Sequence, residues 1–233
     1  VTKEKIYSRD QNLWHISHEG GDIEQLENEH NEEVLYMMVT PPERAKDTPT
    51  YVDITFEKGW PVKVDGESLS PATLLQKLNK IAGENGVGVA DIVENRIVGM
   101  KSRGIYETPG GTLLMESLME LETIVFDKDT LNFKKLVSQK YAEIAYNGQW
   151  FTPIKYALDA FVDSIDEVLT GTIKLKLYKG HIKIAGRFTE NALYDEGISS
   201  FGSSELYSHK DAEGFIKLFS LPNTIRAYKK LSK

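Results

Sequence analysis

Read from its apolar and polar positions, the chain begins strand-like and turns helical. In YVDITFEKG (51–59), Val52, Ile54 and Phe56 alternate with polar neighbours, the two-residue period of a half-buried strand. WPVKVDGESL (60–69) continues the alternation and contains Asp65-Gly66, a turn signal, so the pair predicts a β-hairpin. Ser70-Pro71 then opens a helix, with Ser70 at the N-cap and Pro71 at the first helical position, where an absent N–H is harmless. Leu74, Leu75, Leu78 and Ile81 form its apolar stripe and Gly83 ends it. The β-branched centre of GVGVADIVENRIVG (86–99) predicts another strand. Helices follow, one capped by Thr112 and one by Asp127, the second carrying Leu131, Leu136, Tyr141, Ile144 and Ala145 and stopped by Gly148. A third starts at Thr152-Pro153 and ends before Gly171, with Ile154, Ala157, Leu158, Phe161, Ile165 and Leu169 on one side. TIKLKLYKGHIKIAGR (172–187) alternates on both sides of Lys179-Gly180, a second hairpin. A short helix is expected after Lys210-Asp211-Ala212, and the tail is basic through Arg226, Lys229, Lys230 and Lys233.

Strands, then three to four helices, then a hairpin make an α+β fold, with a mixed or antiparallel sheet packed against those helices. Residues 1–33 lack a regular apolar period and are expected to be an extended N-terminal arm with turns at Gly20-Gly21. The acidic run IEQLENEHNEE (23–33) reads as a solvated face. PPERAKDTPT (41–50) is a connector marked by Pro. The expected division is therefore 1–50 as arm and connector and 51–233 as the main domain.

Composition narrows the function. With 40% hydrophobic and 27% charged residues, the 233-residue chain can bury a core. A net charge of −7 argues against a nucleic-acid partner, whose phosphates need clustered Lys and Arg. The chain has no cysteine, which removes disulfides, thiolate metal sites and a Cys nucleophile. No apolar run approaches the roughly 18–20 residues that span a bilayer, and VTKEKIYSRD lacks the apolar centre of a signal peptide. A soluble, cytoplasmic protein without a membrane partner is expected. The first residue is Val rather than Met, as in a processed chain or a piece of a longer one.

The stretch DIVENRIVGMKSRGIYETPGGT (91–112) is the richest in candidate chemistry. Its Gly110-Gly111-Thr112 could offer N–H groups to an anion at a helix start, but the Lys of a phosphate loop is missing, and a Gly-permitted turn is the better reading. Gly86-Val87-Gly88 has two of the three glycines of a dinucleotide fingerprint and precedes a strand. His15 and His18 have a helical chelating spacing in a segment that does not read as helix, so no metal site is expected. No Gly-x-Ser-x-Gly elbow is present. Glu94-Asn95-Arg96 interrupts an apolar strand, where one uncompensated buried polar group costs roughly 2–7 kcal/mol. With Lys101, Ser102, Arg103, Tyr106 and Glu107 it makes a donor–acceptor set of both charge signs. That set suits a zwitterion such as an amino acid, and equally an internal Glu–Arg network.

This stretch, together with YSRDQNLWHISHEGG (7–21), FEKGWPVKVDGE (56–67), KLNKIAGENGVG (77–88), KYAEIAYNGQWFTP (140–153) and DAEGFIKLF (211–219), resembles the argininosuccinate synthase family over nearly the whole chain. The resemblance implies an AMP-forming ligase of arginine biosynthesis. ATP would activate the ureido oxygen of citrulline, and the aspartate amine would displace AMP to give argininosuccinate, with pyrophosphate as the other product. The family's N-terminal nucleotide-binding domain, with its Ser-Gly-Gly-Leu-Asp-Thr-Ser loop, has no counterpart here. This chain therefore resembles the C-terminal synthetase and multimerisation part, with ATP and Mg expected on the other domain and no ligase activity expected of the chain alone. The resemblance puts citrulline contacts on Ser8, Ser17, Glu94 and Tyr106, none of them a nucleophile or general base, and implies a homotetramer. Alternatives are an oligomerisation or interaction module, or an amino-acid-binding domain.

Overall fold

The computed structural model describes residues 6–199 and 208–232. Residues 1–5, 200–207 and 233, and with them the start of the expected arm and Lys233, lie outside the described residues. The chain divides into two compact units, Val1–Asn191 and Ala192–Lys233.

The first unit has the expected α+β architecture, built on two antiparallel sheets. The larger has the order β5-β4-β3-β8-β9, from Glu67–Ser68, Trp60–Val64, Thr50–Glu57, Gly171–Tyr178 and His181–Phe188. Val52, Ile54 and Phe56 of β3 and Ile173, Leu175 and Leu177 of β8 are all buried, as the two-residue period requires. Helices α2 (Pro71–Glu84) and α3 (Pro109–Val125) pack on each other and on this sheet, adding Leu74, Leu78, Ala82, Leu113, Leu121 and Val125 to one core. Each such large side chain contributes roughly 1.5–3 kcal/mol of hydrophobic stabilisation.

Three tight turns join the strands, and each is a residue followed by Gly with both at positive φ: Lys58-Gly59, Asp65-Gly66 and Lys179-Gly180. That geometry matches the twist of the flanking strands. The hairpin expected across 51–69 turns at Lys58-Gly59, and Asp65-Gly66 closes a second one between β4 and β5.

The smaller sheet has the order β1-β2-β7-β6, from Ser8–Gln11, Ile16–Glu19, Lys101–Glu107 and Val89–Asn95. The N-terminal arm thus runs largely extended as a hairpin inside a sheet. Its turn is built by Asn12, whose side chain accepts the N–H groups of Trp14 and His15 at 2.8 and 2.9 Å. Ile23, at the start of the acidic run, and Leu35, just past its end, are buried against Ile105, while most of the acids stay exposed. A short helical turn, α1 (Glu32–Leu35), is capped by Asn31.

Two helix boundaries differ from expectation. α3 begins at Pro109, with Thr108 at the N-cap, so Gly110 and Gly111 lie inside its first turn. A Cβ on Gly110 would meet the Asn79 side chain at 2.6 Å, and one on Gly111 would meet Trp14 at 2.9 Å. Close packing, rather than turn freedom, calls for the glycines. Helix α5 (Pro153–Asp166) ends four residues before the expected stop, and no residue of its strong apolar stripe is fully buried. Helix α4 (Lys128–Tyr146) precedes it, capped by Asp127 as expected. Of its predicted apolar positions Ile144 is buried, whereas Leu136 is 63% exposed.

The second unit contains α6 (Glu196–Ser199), α7 (His209–Phe219) and α8 (Leu221–Leu231). α7 and α8 are amphipathic, and Phe215, Phe219, Leu221, Ile225 and Tyr228 are exposed.

Candidate functional site

The register of the smaller sheet decides what shares a face. Ser17 lies opposite Tyr106, and Tyr106 lies opposite Ala90. Glu94 lies opposite Ser102, and Ser8 opposite Glu19. Because alternate residues point the same way, one face carries Ser8, Ser17, Glu19, Glu94, Ser102, Gly104 and Tyr106. The other carries Arg9, His18, Arg103, Ile105 and Glu107 by the same count.

On the first face the Tyr106 hydroxyl donates to Glu94 Oε1 at 2.8 Å. The ring reaches along its own strand to do so, passing over Gly104; a Cβ there would meet Tyr106 Cε2 at 2.9 Å. Burial, and then the hydrogen bond to Glu94, push the Tyr106 phenol up to about 12, so it is a proton donor at any ordinary pH. Arg96, just past β6, holds Glu19 at 2.6 Å and donates to Ser102 Oγ at 2.7 Å, with Glu94 Oε1 3.7 Å away. Ser17, adjacent to Tyr106 across the strands, is 7% exposed. Ser8 is on the exposed edge strand, two strand spacings from Gly104 and so about 12 Å from the Tyr106 backbone. A cleft of about 680 Å³ opens beside this face, lined by Trp14, His15, Ala90, Ile92, Tyr106 and Thr112 among others.

The second face is internal. Glu107 is fully buried and accepts four donors: His18 Nε2 at 2.7 Å and the backbone N–H groups of Met37, Met38 and Val39 at 2.9, 2.7 and 2.8 Å. Burial works against its ionised form, but these hydrogen bonds outweigh it and hold its pKa below the usual carboxylate range. Arg103 forks onto Asp91 at 2.9 and 2.6 Å, and its remaining nitrogen donates to the carbonyls of Ile23, Gln25 and Asn28. Lys101 donates to Asn95 at 2.7 Å. The polar groups of this stretch therefore pair internally in two networks, Arg103 with Asp91 on one face and Arg96 with Glu19 and Glu94 on the other, the second being the Glu–Arg network that the composition allowed.

The start of α3 does not offer a phosphate cradle. The Gly110 N–H is donated to Asn79 Oδ1 at 2.8 Å, while Asn79 Nδ2 donates to the Leu13 carbonyl at 3.0 Å. Asn79 thereby ties α2, α3 and the β1–β2 turn together. His15 and His18 do not converge: His18 is buried against Glu107, while His15 lies beside Tyr106, ring centres 6.0 Å apart.

The family model described as Arginosuccinate synthase C-terminal domain matches residues 7–226. This chain belongs to that family. The argininosuccinate synthase of Clostridium acetobutylicum is 64% identical over 233 residues, which is 100% of this chain and 58% of the relative. Those of Clostridium botulinum strains Langeland and Okra are each 66% identical over 229 residues, 98% of this chain and 57% of the relative. The chain thus spans somewhat more than half the length of the argininosuccinate synthases it matches, and it corresponds to their C-terminal part.

Within this C-terminal synthase domain, the fold joins Glu94 directly to Tyr106 and sets Ser17 beside them, with Ser8 farther out on the same face. The residue pattern alone did not single out Glu19 and Asn79, nor the buried pairing of His18 with Glu107. Nothing in their identities marks them, because their partners come from segments distant in sequence.

Proposed function

We propose that this chain supplies part of the citrulline-binding surface of an ATP-dependent ligase that joins citrulline to aspartate, giving argininosuccinate, AMP and pyrophosphate. The observation that carries this reading is the convergence of Glu94, Tyr106 and Ser17 on one sheet face beside an open cleft, in a chain of this family. The Glu94 carboxylate is an acceptor matched to an α-ammonium group, and hydroxyls of Tyr106, Ser17 and Ser8 orient the remaining polar groups. Their work is positioning: holding one reactant correctly can supply much of the acceleration of a reaction between two substrates.

The described residues do not suit ATP or Mg. The Gly110 N–H is engaged by Asn79, and among the described residues no group of three His, Asp or Glu side chains is arranged to hold a metal. On the family resemblance, ATP, Mg and the adenylation step are assigned to the part of the relatives that this chain does not span. The exposed apolar faces of α5, α7 and α8 support a role in oligomer contacts, the homotetramer being the assembly the family resemblance implies. A cytoplasmic location fits an enzyme of amino-acid biosynthesis, and among the described residues no helix is long and apolar enough to cross a membrane.

The test is product analysis. The full-length protein given citrulline, aspartate and ATP should form argininosuccinate, AMP and pyrophosphate in equal amounts. No argininosuccinate would end the ligase reading. Release of AMP by residues 1–233 alone would overturn the division of labour.

A further inference from the structure

The far face of the smaller sheet holds a continuous chain of hydrogen bonds whose members are the immediate sequence neighbours of three candidate site residues. Arg9 follows Ser8, His18 follows Ser17 and Glu107 follows Tyr106. Arg9 Nη2 donates to the Val34 carbonyl at 3.1 Å, and its Nε donates to His18 Nδ1 at 3.1 Å. His18 Nε2 faces Glu107 Oε1 at 2.7 Å, and Glu107 gathers the N–H groups of Met37, Met38 and Val39.

The protons in this chain follow from its donors. A guanidinium can only donate, so His18 Nδ1 must be an acceptor and carries no proton. His18 is then neutral, with its proton on Nε2, and it donates to Glu107. Every group in the relay has one role, and reversing any of them sets donor against donor.

What the relay fixes is register. Strand β2 has four residues, and it meets β7 through Ile16 to Glu19 opposite Glu107 to Gly104. A slip of one residue would turn Ser17 to the internal face and remove it from Tyr106. His18 and Glu107 are both fully buried, so a slip would also strand a carboxylate without its donors, which makes it costly. Arg9 extends the same constraint to β1 and so to Ser8.

We propose that Arg9, His18 and Glu107 form a positioning relay that holds Ser8, Ser17 and Tyr106 in place from behind for the amino-acid substrate. This rests on the citrulline-binding reading of the opposite face. The relay residues touch no substrate; they act through their neighbours.

Kinetics of the full-length protein test it. Arg9 is exposed, so Arg9→Met should leave the protein folded. It should raise the citrulline KM between about 10- and 100-fold, the range expected of a displacement near 1 Å, with kcat and the KM for ATP little changed. Arg9→Lys, which restores a donor, should recover part of the loss, and Glu107→Gln should show a larger effect. If Glu107→Gln does not fold, the two Arg9 variants decide the matter. A relay that served stability alone would lower the melting temperature and leave KM untouched, and that outcome overturns the proposal. Glu94→Ala serves as the control. A raised KM there with a normal KM in Arg9→Met removes the relay only; a normal KM in Glu94→Ala removes the citrulline reading, and the relay with it.

Discussion

Tyr106 donates a 2.8 Å hydrogen bond to Glu94 along one face of the β6–β7 hairpin, and the residue beneath its ring is Gly104. The contact depends on the missing side chain. Gly104 is not among the residues at positive φ, so alanine is compatible with its backbone. Its Cβ would lie 2.9 Å from Tyr106 Cε2, and the ring must move. Gly104→Ala in the full-length protein should raise the citrulline KM by about 10-fold or more, as expected for loss of a charge-assisted hydrogen bond, while changing global stability little. A wild-type KM would mean that the Tyr106–Glu94 contact is unimportant to the site.

Asp166 gives a prediction that is independent of substrate. It ends α5 beside Gly59, and one of its oxygens is buried without a hydrogen-bond partner. Burial, chiefly, outweighs the attraction of Lys134 and, with smaller repulsions from Glu122 and Asp163, pushes its pKa up to about 6. The folded state therefore prefers the protonated acid. The stability this supplies is complete below the unfolded pKa near 4 and is lost as pH rises through about 6. Asp166→Asn should stabilise the protein at pH 8 by roughly 1–3 kcal/mol and make little difference at pH 4. Equal effects at both pH values, by chemical denaturation, would contradict the assignment.

The exposed apolar faces of α7 and α8 predict an effect on assembly. Phe219 is 73% exposed and Leu231 is 84% exposed, unusual for large apolar residues on ordered helices. Removing Ala192–Lys233 should leave the first unit folded, since both of its apolar clusters lie within residues 7–184, and should reduce the oligomer. Light scattering should report a smaller assembly for the truncated chain. An unchanged number of subunits would place the oligomer contacts elsewhere.

How much of this was legible in the sequence depends on the range of the interaction. The alternation in β3 and β8 is local, and both the buried set and the Lys179-Gly180 turn follow from it. The start of α3 was misplaced because Pro-Gly-Gly reads locally as a breaker, whereas contacts to Asn79 and Trp14, from other segments, favour glycine in the helix. The stripe of α5 was evident, but amphipathicity says only that a face needs a cover, and within this chain that face is not fully covered. Glu94 stood out as a carboxylate interrupting a β-branched run. Glu107 gave no such sign, since its donors are the backbone of Met37–Val39 and a histidine 89 positions away. The four citrulline positions came from family resemblance; what the residues themselves indicated was a polar site of mixed charge.

The most direct measurement is the citrulline KM of full-length Glu94→Ala against wild type, with the KM for ATP and for aspartate measured alongside. Loss of a carboxylate that pairs with the substrate's ammonium should cost about 2–3 kcal/mol, a rise of roughly 30- to 150-fold for citrulline, with the other two constants little altered. An unchanged citrulline KM, or an equal rise for all three substrates, would contradict a citrulline site on this sheet face.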